Sequence, residues 1–434
     1  MSASNRGGRP GSYQVRSLGC KVNQAEAAWL ELELTRLGWR AAAAGQPAEL
    51  VILLTCSVTG PAARQSRQMA RRLAKAHPGA RVVVTGCDLQ AAPETYQGQG
   101  YELAGRAWLA ELPARLTRGR PLPEPANAAP DAGPFCPGQR PPSAERARSQ
   151  LKVQDGCDAF CAYCVVPYTR GRPRSLPVDS AQQSLARMAR AGAAEVVITG
   201  IHLGLYGRDL DPPCDLADLL RGLLAMGPGP RLRLSSLEMN EVGDDLLELM
   251  AGRERLCPHL HIPLQSGSDQ VLAAMGRPYS AAQYAATVNR ALGRIPGLCV
   301  GADVLVGLPG EDQEAFEQTR GLIESLDLAY LHVFPYSPRP GTPAAAMGHP
   351  PPRVARERAA VLRQLGAAKH RRFLESQVGR RLEVVVERRG LGRSQNYCLV
   401  QLDQPARPGQ RLVVEARAVD REAEPPRLLT RNLP

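Results

Sequence analysis

Short apolar runs alternate with stretches of helical periodicity through roughly the first quarter of the chain. The strand-like runs lie at 13–18, 50–54 and 81–85, and the helical stretches lie at 24–37 and 62–77. The runs have the length of buried strands, and the helical stretches repeat their apolar residues every three to four positions. This alternation of strand and helix predicts a doubly wound α/β domain with a parallel sheet, at residues 12–118.

A stretch dense in proline, glycine and alanine follows at 119–143, and its composition is typical of a linker. The alternation then resumes at 144–370 with six strand candidates. They lie at 151–154, 195–199, 231–235, 260–263, 298–306 and 329–334. Six strand and helix units predict a partial (β/α)6 barrel rather than a closed eight-fold one.

The last part of the chain, 371–434, changes character again. The segments LEVVVERR, YCLVQL and RLVVEARAV alternate apolar and polar residues and are separated by glycine, proline and asparagine. Short strands with such turns predict a small β-barrel.

Length and composition add limits to this picture. The 434 residues suffice for two or three domains. No apolar stretch approaches the roughly 18 residues that a membrane-spanning helix requires, and the first residues, MSASNRGGRPGS, lack the apolar segment of a signal peptide. We therefore expect a cytoplasmic protein with no membrane partner. Disulfides rarely persist there, so the eleven cysteines indicate metal binding, iron-sulfur clusters, catalysis or burial.

Charge favours a polyanionic partner. The chain has 54 lysines and arginines against 42 acidic residues, a net charge of +12. Only four of these cations are lysines, and an arginine excess beside abundant alanine can reflect the coding bias of a genome. The placement of the charge is more informative, because 371–434 holds 13 arginines and no lysine against eight acidic residues. The predicted β-barrel therefore carries +5 of the +12.

Three cysteines, Cys157, Cys161 and Cys164, form a C-x3-C-x2-C loop just after the first predicted barrel strand. Three thiolates cannot complete a four-coordinate site. A [4Fe-4S] cluster usually takes four cysteines, one per iron, so three leave one iron open to another ligand. The alternatives are free thiols or a zinc site completed by a distant histidine or cysteine. The spacing, with an aromatic residue before the last cysteine, favours the cluster.

Three further cysteines are dispersed along the first domain, at Cys20, Cys56 and Cys87. Each lies one or two residues beyond a predicted strand. In a parallel sheet these strand ends share one edge, where doubly wound folds bind their ligands. Burial would explain any one of the three thiols, but their common register predicts a three-cysteine metal site.

The C-x3-C-x2-C loop at the start of a (β/α) barrel resembles the signature of radical S-adenosylmethionine enzymes. In that family, the open iron chelates the amino and carboxylate groups of S-adenosylmethionine. An electron from the cluster then splits the sulfonium and gives a 5′-deoxyadenosyl radical. The resemblance implies a [4Fe-4S] cluster on Cys157, Cys161 and Cys164, with S-adenosylmethionine as a second cofactor.

The segments SLGCKVNQAE, LLTCSVTG and VVVTGCDLQ resemble the N-terminal domain of methylthiotransferases, in which three cysteines hold a second [4Fe-4S] cluster. This resemblance covers nearly the whole chain and implies that the C-terminal barrel is a TRAM domain, which binds RNA. The motifs GCKVNQ and TCSVT are similar to the MtaB-type branch, which modifies N6-threonylcarbamoyladenosine in tRNA. One departure is Leu54, where relatives usually carry asparagine before Thr-Cys.

Several residues follow barrel strands at the mouth where barrel enzymes place their active sites. Gly200 would let the backbone approach the methionine amino group of the cofactor. The other candidates for cofactor contact are Ser235, Ser236, Gln265, Ser266, Asp303 and Gly307. Glycine and serine are also ordinary turn residues after strands, so each position has a plain structural explanation as well.

RNA contacts are expected on the C-terminal barrel. The candidates, which lie in and around GRSQNY, are Arg388, Arg389, Arg393 and Tyr397. Arginine beside an aromatic ring suits phosphate contact and stacking on unpaired bases. A solvated surface is the alternative. Arg170, Arg172 and Arg174, beside the cysteine loop, could also meet the tRNA backbone.

The resemblance implies addition of a methylthio group to C2 of threonylcarbamoyladenosine at position 37, next to the anticodon. C2 of adenine has no acidic proton and no leaving group, so acid–base catalysis has no handle on it. The resemblance implies that two S-adenosylmethionine molecules are used, one as methyl donor and one as radical source. We assign no catalytic residue beyond the clusters. The expected partners are tRNA and a reduced flavodoxin- or ferredoxin-like donor, with the chain a monomer and its sulfur donor unidentified.

Three alternatives remain at this point. Two keep the chemistry and change the substrate to isopentenyladenosine in tRNA or to an aspartate of a ribosomal protein. The third is a non-enzymatic iron-sulfur protein that binds RNA.

Overall fold

The computed structural model describes residues 10–43, 45–123, 125, 133–142, 147–252 and 255–433. This part of the chain forms two α/β domains in succession, followed by a closed β-barrel. None of its helices has an apolar stretch long enough to cross a bilayer. Residues 124, 126–132 and 143 of the predicted linker lie outside the described residues.

The first domain is built on a five-stranded parallel sheet. Its strands are β1 (Ser12–Ser17), β2 (Arg40–Ala41), β3 (Leu50–Thr55), β4 (Arg81–Gly86) and β5 (Glu102–Leu103). Its helices are α1 (Lys21–Arg36), α2 (Gly60–Ala76), α3 (Cys87–Ala91) and α4 (Leu112–Thr117). The strand order is β2-β1-β3-β4-β5. In sheets of this order, the chain reverses direction across the sheet at β1 and β3, and ligands bind at the carboxyl ends of those strands.

Alternation along β3 explains why helices cover both faces of this sheet. Leu50, Ile52 and Leu54 are buried on the side of α1 and α4. Val51 and Leu53 are buried on the opposite side, where α2 packs. A strand buried on both faces is a continuous apolar run, as the sequence indicated, and the doubly wound fold is confirmed.

The second domain contains six parallel strands in chain order and three short accessory strands. These strands are β6 (Gln139–Arg140), β7 (Arg148–Lys152), β8 (Gln154–Asp155), β9 (Arg174–Ser175), β10 (Glu195–Thr199), β11 (Arg231–Leu234), β12 (His259–His261), β13 (Cys299–Val306) and β14 (Tyr330–Pro335). Ladders join β7, β10 and β11, and separate ladders join β12, β13 and β14. Isolated parallel bridges, one of them between Ser236 and His261, connect the two sets. The predicted partial barrel is confirmed.

The segment predicted as a linker contributes to this domain. Its strand β6 pairs antiparallel with β7 at the edge of the sheet. The neighbouring Cys136 is buried and packs in the apolar core of the first domain. The described part of this segment therefore lies between the two domains as packed structure.

Helices surround the barrel strands. They are α5 (Val166–Arg170), α6 (Val178–Arg190), α7 (Leu216–Leu224), α8 (Asp244–Gly252), α9 (Asp269–Ala274), α10 (Ala281–Arg294), α11 (Gln313–Ser325) and α12 (Pro352–Glu375). Their apolar sides pack on the strands in one continuous core, in which Leu219, Leu223 and Val288 are fully buried. Burying side chains of this size contributes about 1.5–3 kcal/mol each.

The last domain is a closed five-stranded barrel. Its strands are β15 (Arg381–Arg388), β16 (Leu391–Ser394), β17 (Leu399–Gln401), β18 (Arg411–Asp420) and β19 (Arg427–Asn432). They close in the order β15-β16-β17-β19-β18 around an apolar core. The predicted small β-barrel is confirmed.

Buried charged residues of the partial barrel contact the small C-terminal barrel. Arg231 and Arg233 lie on alternate positions of β11 and both bind Glu195 of β10, with N to O distances of 2.7 and 2.8 Å. Their remaining N–H groups donate to backbone carbonyls of the small barrel, including those of Arg393 and Ser394. Burial of Glu195 would raise its pKa, but the two arginines hold it well below its usual range. The small barrel therefore docks through fixed, directional contacts.

Candidate active site

One cavity of about 650 Å³ lies between the first domain and the mouth of the partial barrel. The three cysteines of the first domain, Cys20, Cys56 and Cys87, all line it. Cys56 and Cys87 directly follow β3 and β4, and Cys20 lies three residues after β1, so the parallel sheet brings all three to its carboxyl edge, where ligands bind in this topology. The structure thus brings these three predicted residues together.

A glycine permits the close approach of two of these loops. Gly19 has φ = +85°, and a β-carbon there would lie 2.2 Å from the sulfur of Cys56. A larger residue would be strained and would push Cys56 away from the loop that carries Cys20. The Gly-Cys pair of the sequence motif therefore has a steric basis.

The surroundings of these thiols act on their ionisation in opposite directions. Burial raises the pKa of Cys56 to about 11. Desolvation also raises the pKa of Cys20, while the nearby Arg170 and the backbone N–H of Asn23 lower it. A thiolate binds metal, so a cation and an N–H donor beside the thiols favour the metal-binding form.

The second group of cysteines lies in the loop between β8 and α5. The N–H of Cys164 donates to the carbonyl of Cys161 at 2.9 Å, which makes this loop a tight turn. Cys157 Sγ lies 3.3 Å from Nδ1 of His202. Arg277 donates from Nη1 to Cys161 Sγ at 3.2 Å. Each of these two thiols therefore has a nitrogen partner from a distant part of the barrel.

His202 is held in turn by a carboxylate. Its Nε2 lies 2.5 Å from Oε1 of Glu241, on the opposite side of the ring from Cys157. Burial lowers the pKa of His202, but the hydrogen bonds to Cys157 and Glu241 raise it to about 10. Sequence reasoning missed this pair, although His202 stands two residues after Gly200 in the motif TGIHLG.

Both groups of cysteines fit iron-sulfur clusters better than single metal ions. Among the described residues, neither group has its three ligand atoms within 4.8 Å of one another. In a [4Fe-4S] cluster each thiolate takes a different iron, so the sulfurs stand further apart than the ligands of one ion. The first group opens onto the cavity, and Cys164 of the second group lines a smaller neighbouring cavity, so each group has room for a cluster with one free iron.

A network of buried charges connects the two groups of cysteines. Glu26 of α1 accepts hydrogen bonds from Arg106 and Lys152, both at 2.7 Å. Asp155 of β8 accepts from Lys152 at 2.7 Å and from Arg170 at 2.8 Å. All these side chains are almost fully buried. Burial would raise the pKa of Glu26 and of Asp155, but the surrounding cations hold both below their usual range.

The predicted RNA contact at Arg170 is therefore wrong. Its side chain is 1% exposed, and its guanidinium is engaged by Asp155, Glu26 and Asn23. Arg174 is also largely buried and contacts Asp155, whereas Arg172 is exposed. Local sequence showed a basic loop, but the acidic partners come from other segments.

The predicted cofactor-contact residues fall into two sets. Gly200, Ser235, Ser236 and Asp303 line the cavity, and Gln265 and Asp303 line a neighbouring cavity of about 240 Å³ beside Cys164. The buried hydroxyl of Ser235 has no hydrogen-bond partner in the described part of the chain, so it is free to bond a polar ligand. These positions fit a polar ligand at the barrel mouth.

The second set, Ser266 and Gly307, lies outside the linings of both cavities. Ser266 is buried and bonds Thr319 of α11 and the N–H of Ser268. Gly307 has φ = +77°, and its N–H donates to Glu311. Their assignment to the cofactor stays a prediction.

Aromatic and histidine side chains form the barrel side of the cavity. Tyr330 O–H lies 2.9 Å from His259 Nε2 and 3.1 Å from His261 Nδ1. Its ring packs directly on Gly301, where a β-carbon would lie 2.0 Å from the ring. The ring of Tyr397 lies 4.3 Å from the ring of His259. A wall of this kind can stack against a planar base.

Asp303 is the one carboxylate among the described lining residues of this cavity. Oδ1 of Asp303 lies 2.9 Å from His261 and 3.2 Å from His332. Burial would raise the pKa of Asp303, but these hydrogen bonds lower it below the usual range. Its negative charge is therefore shared between two rings.

The predicted RNA residues of the small barrel also divide. Arg388 and Arg389 are exposed at the turn between β15 and β16. Arg393 is engaged by Glu387 and by the carbonyl of Tyr397. Tyr397 itself lines the cavity, under the guanidinium of Arg393 at 4.7 Å from the ring centre. Two of the four residues thus face solvent and two belong to the interior.

Two stretches of the chain match known families. Residues 12–104 match the uncharacterized protein family UPF0004, and residues 151–323 match the radical SAM superfamily. Among solved structures, the radical S-adenosylmethionine methyltransferase TsrM from Kitasatospora setae, bound to tryptophan substrate and a cofactor analogue, aligns with a TM-score of 0.58. The alignment covers 78% of this chain and 75% of TsrM at 16% identity, so the likeness concerns the fold alone.

Curated relatives align over most of the chain. The threonylcarbamoyladenosine tRNA methylthiotransferase MtaB of Rickettsia prowazekii is 33% identical, over 92% of this chain and 93% of the relative. The protein of the same name from Bacillus subtilis is 35% identical, over 76% and 74%. The tRNA-2-methylthio-N(6)-dimethylallyladenosine synthase of Novosphingobium aromaticivorans is 34% identical, over 94% and 95%.

Proposed function

Because the chain belongs to the methylthiotransferase family of radical S-adenosylmethionine enzymes, we propose that it adds a methylthio group to C2 of threonylcarbamoyladenosine at position 37 of tRNA. The observation that carries the proposal is the shared cavity, whose wall includes the cysteines of the first domain and the mouth of the barrel. One substrate base placed there would be within reach of groups held on both domains.

The cofactors of this family are S-adenosylmethionine and [4Fe-4S] clusters. When bound, they would supply the radical that an unactivated C–H position requires and the methyl group of the product, while the sulfur comes from an unidentified donor. Cys20, Cys56 and Cys87 would hold one cluster, and Cys157, Cys161 and Cys164 the other. For S-adenosylmethionine we propose Gly200, Ser235, Ser236, Gln265 and Asp303, together with Ser266 and Gly307, which lie outside the two cavity linings.

The protein's own side chains orient these groups. Arg277 and His202 fix two thiols of the barrel loop and place positive charge beside them. Glu241 holds the His202 ring in place. Tyr330 and Tyr397 offer flat surfaces on which the substrate base can lie, away from bulk water.

The proposal also covers the protein's location, oligomeric state and partners. We propose a cytoplasmic monomer that receives electrons from a reduced flavodoxin- or ferredoxin-like protein, with an unidentified sulfur donor. Arg388 and Arg389 would contact the tRNA backbone from the exposed turn of the small barrel. Tyr397 would contact RNA inside the cavity, and Arg393, whose guanidinium lies over the Tyr397 ring, would contact it from beside the cavity.

The second candidate function uses the same chemistry on dimethylallyladenosine in tRNA, since a synthase with that substrate is 34% identical to this chain. Mass spectrometry of tRNA nucleosides from a deletion strain separates the two. The main proposal predicts loss of the methylthio group from threonylcarbamoyladenosine and its retention on dimethylallyladenosine. The reverse pattern establishes the second candidate.

A further inference from the structure

Lys21 is a basic residue in the wall of the cavity. It is the first residue of α1, directly after Cys20, and its side chain is exposed to the cavity. Among the described residues, its ammonium group has neither an ion pair nor a hydrogen bond. A lysine with neither contact among the described residues is available to a ligand.

The other basic side chains of the described wall already have partners. Arg170 is saturated by Asp155, Glu26 and Asn23. His261 and His332 share the carboxylate of Asp303. Among the lysines and arginines of the described lining, Lys21 is therefore the residue with capacity left for an anion.

The helix that carries Lys21 adds to this positive character. The first turn of α1, from Lys21 to Gln24, lines the cavity and contains no acidic residue. The N-terminus of a 16-residue helix carries a partial positive charge that falls off within the first turn. An anion beside Lys21 would meet both the ammonium group and this helix end.

The two candidate substrates differ in charge at one place. The threonylcarbamoyl group ends in the carboxylate of threonine, whereas the dimethylallyl group is an uncharged hydrocarbon. Relatives with either substrate share about one third of this sequence, so overall identity does not separate them. A carboxylate needs a cation in a desolvated site, and a hydrocarbon is penalised beside an unpaired one.

Resting on the proposed function, we infer that Lys21 binds the carboxylate of the threonylcarbamoyl group and thereby selects this substrate over uncharged N6 substituents. The adenine ring then lies against the wall of His259, Tyr330 and Tyr397. The position next to Cys20 places this recognition beside the cysteines of the first domain. Lys21 thus determines specificity and performs no chemistry.

The test measures RNA binding without turnover. Anticodon stem-loops with threonylcarbamoyladenosine, dimethylallyladenosine or unmodified adenosine are titrated into anaerobic, cluster-loaded protein without S-adenosylmethionine. The wild-type protein should bind the threonylcarbamoyl RNA most tightly. Lys21→Met should lose about tenfold to a hundredfold of affinity for that RNA alone, which is the range of a charge-assisted hydrogen bond. Lys21→Arg should retain most of the preference.

The controls make each outcome decisive. Lys75→Met removes an exposed lysine of α2 outside the cavity and should bind all three RNAs like the wild type. The iron content of Lys21→Met shows whether this variant still holds its clusters. If it has lost iron, Lys21→Gln is used in its place. An unchanged preference in the variant overturns the inference, and so does equal weakening for all three RNAs, which would indicate a phosphate contact. Failure of the proposed function is visible separately, as wild-type protein that methylthiolates only dimethylallyl RNA.

Discussion

Arg170 donates a 2.7 Å hydrogen bond from Nη2 to Oδ1 of Asn23. Asn23 stands three residues after Cys20, and Arg170 stands six residues after Cys164. The amide of Asn23 also donates to the carbonyls at the ends of β1 and β3, both at 2.9 Å. This contact therefore links the loop of one cysteine group to the loops of the other.

Glu26→Gln should destabilise the protein strongly. The amide keeps the size of the side chain but leaves Arg106, Lys152 and Arg170 with Asp155 as their main counter-charge. Breaking a buried charge network in this way costs about 3–5 kcal/mol of unfolding free energy. Urea denaturation of anaerobically purified protein measures the loss.

Glu33→Gln on the same helix is the control for that variant. Glu33 pairs with Arg36 on the surface, where such pairs contribute about 0–1 kcal/mol. Equal urea midpoints for the two variants would show that the buried network contributes no more than a surface pair.

The two cysteine groups should separate two activities. Cys161→Ala should abolish formation of 5′-deoxyadenosine, because it breaks the barrel group beside Arg277. Cys56→Ala should retain some 5′-deoxyadenosine formation but yield no methylthio product. Each variant should lose about four of about eight irons per chain.

Cys214→Ala serves as the control, since Cys214 lies outside both groups. Its iron content and product should match the wild type. A normal amount of methylthio product from Cys56→Ala would show that the cysteine group of the first domain is not needed for methylthio transfer.

Cluster-free protein should lose stability in alkaline solution partly through Cys56. Its pKa is raised from 9.0 to about 11 by burial, so the unfolded thiol ionises before the folded one. This contribution to stability is complete below pH 9 and is lost as the pH rises to about 11. The loss amounts to about 2–3 kcal/mol.

Cys56→Ser has no thiol at this position, so its unfolding free energy should fall less between pH 9 and about 11. Urea denaturation at both ends of this range gives the comparison. Parallel losses in the two proteins would contradict the assignment to Cys56.

A double variant of Arg388 and Arg389 to alanine should weaken tRNA binding whatever the modification of the base. Both side chains are exposed, and neither lines the cavity. If each neutralises one phosphate, the slope of log K against log salt falls by about 2. Filter binding at several salt concentrations measures this slope.

Arg353→Ala is the matched control, because that exposed arginine lies on α12 and pairs with Glu357. Its salt slope should equal that of the wild type. A double variant with an unchanged slope would place the RNA elsewhere on the protein.

Much of the fold could be predicted because its signals are local. The strand at Glu195–Thr199 coincides with its apolar run, and the cysteines after β1, β3 and β4 reach one cavity because parallel strands end at one edge. The helices α3, α5 and α9, of five or six residues each, were not predicted, since fewer than two turns show little periodicity. The sequence departs from its relatives at Leu54, where they usually carry asparagine. Leu54 packs in the core on the side of α1, and hydrogen bonds between the ends of β1 and β3 come instead from Asn23.

The charge network could not be predicted from sequence. Glu26 and Arg170 are separated by 144 residues, so no window of sequence contains both. Local sequence instead showed Arg170 in a basic loop, which suggested RNA. Lys21 stood in the motif GCKVNQ, but only the structure shows that it lines the cavity without an ion pair to any residue described.

The position of Tyr397 bears on how this enzyme can be re-engineered. Tyr397 belongs to the small barrel, yet its ring closes one side of the chamber that Lys21 and Cys20 also line. Replacing the small barrel with the corresponding domain of a relative would therefore change part of the cavity wall as well as the proposed RNA-binding surface. Such a replacement should change which base is accepted as well as which tRNA is bound. The small barrel is therefore part of the active site and not only an RNA-binding domain.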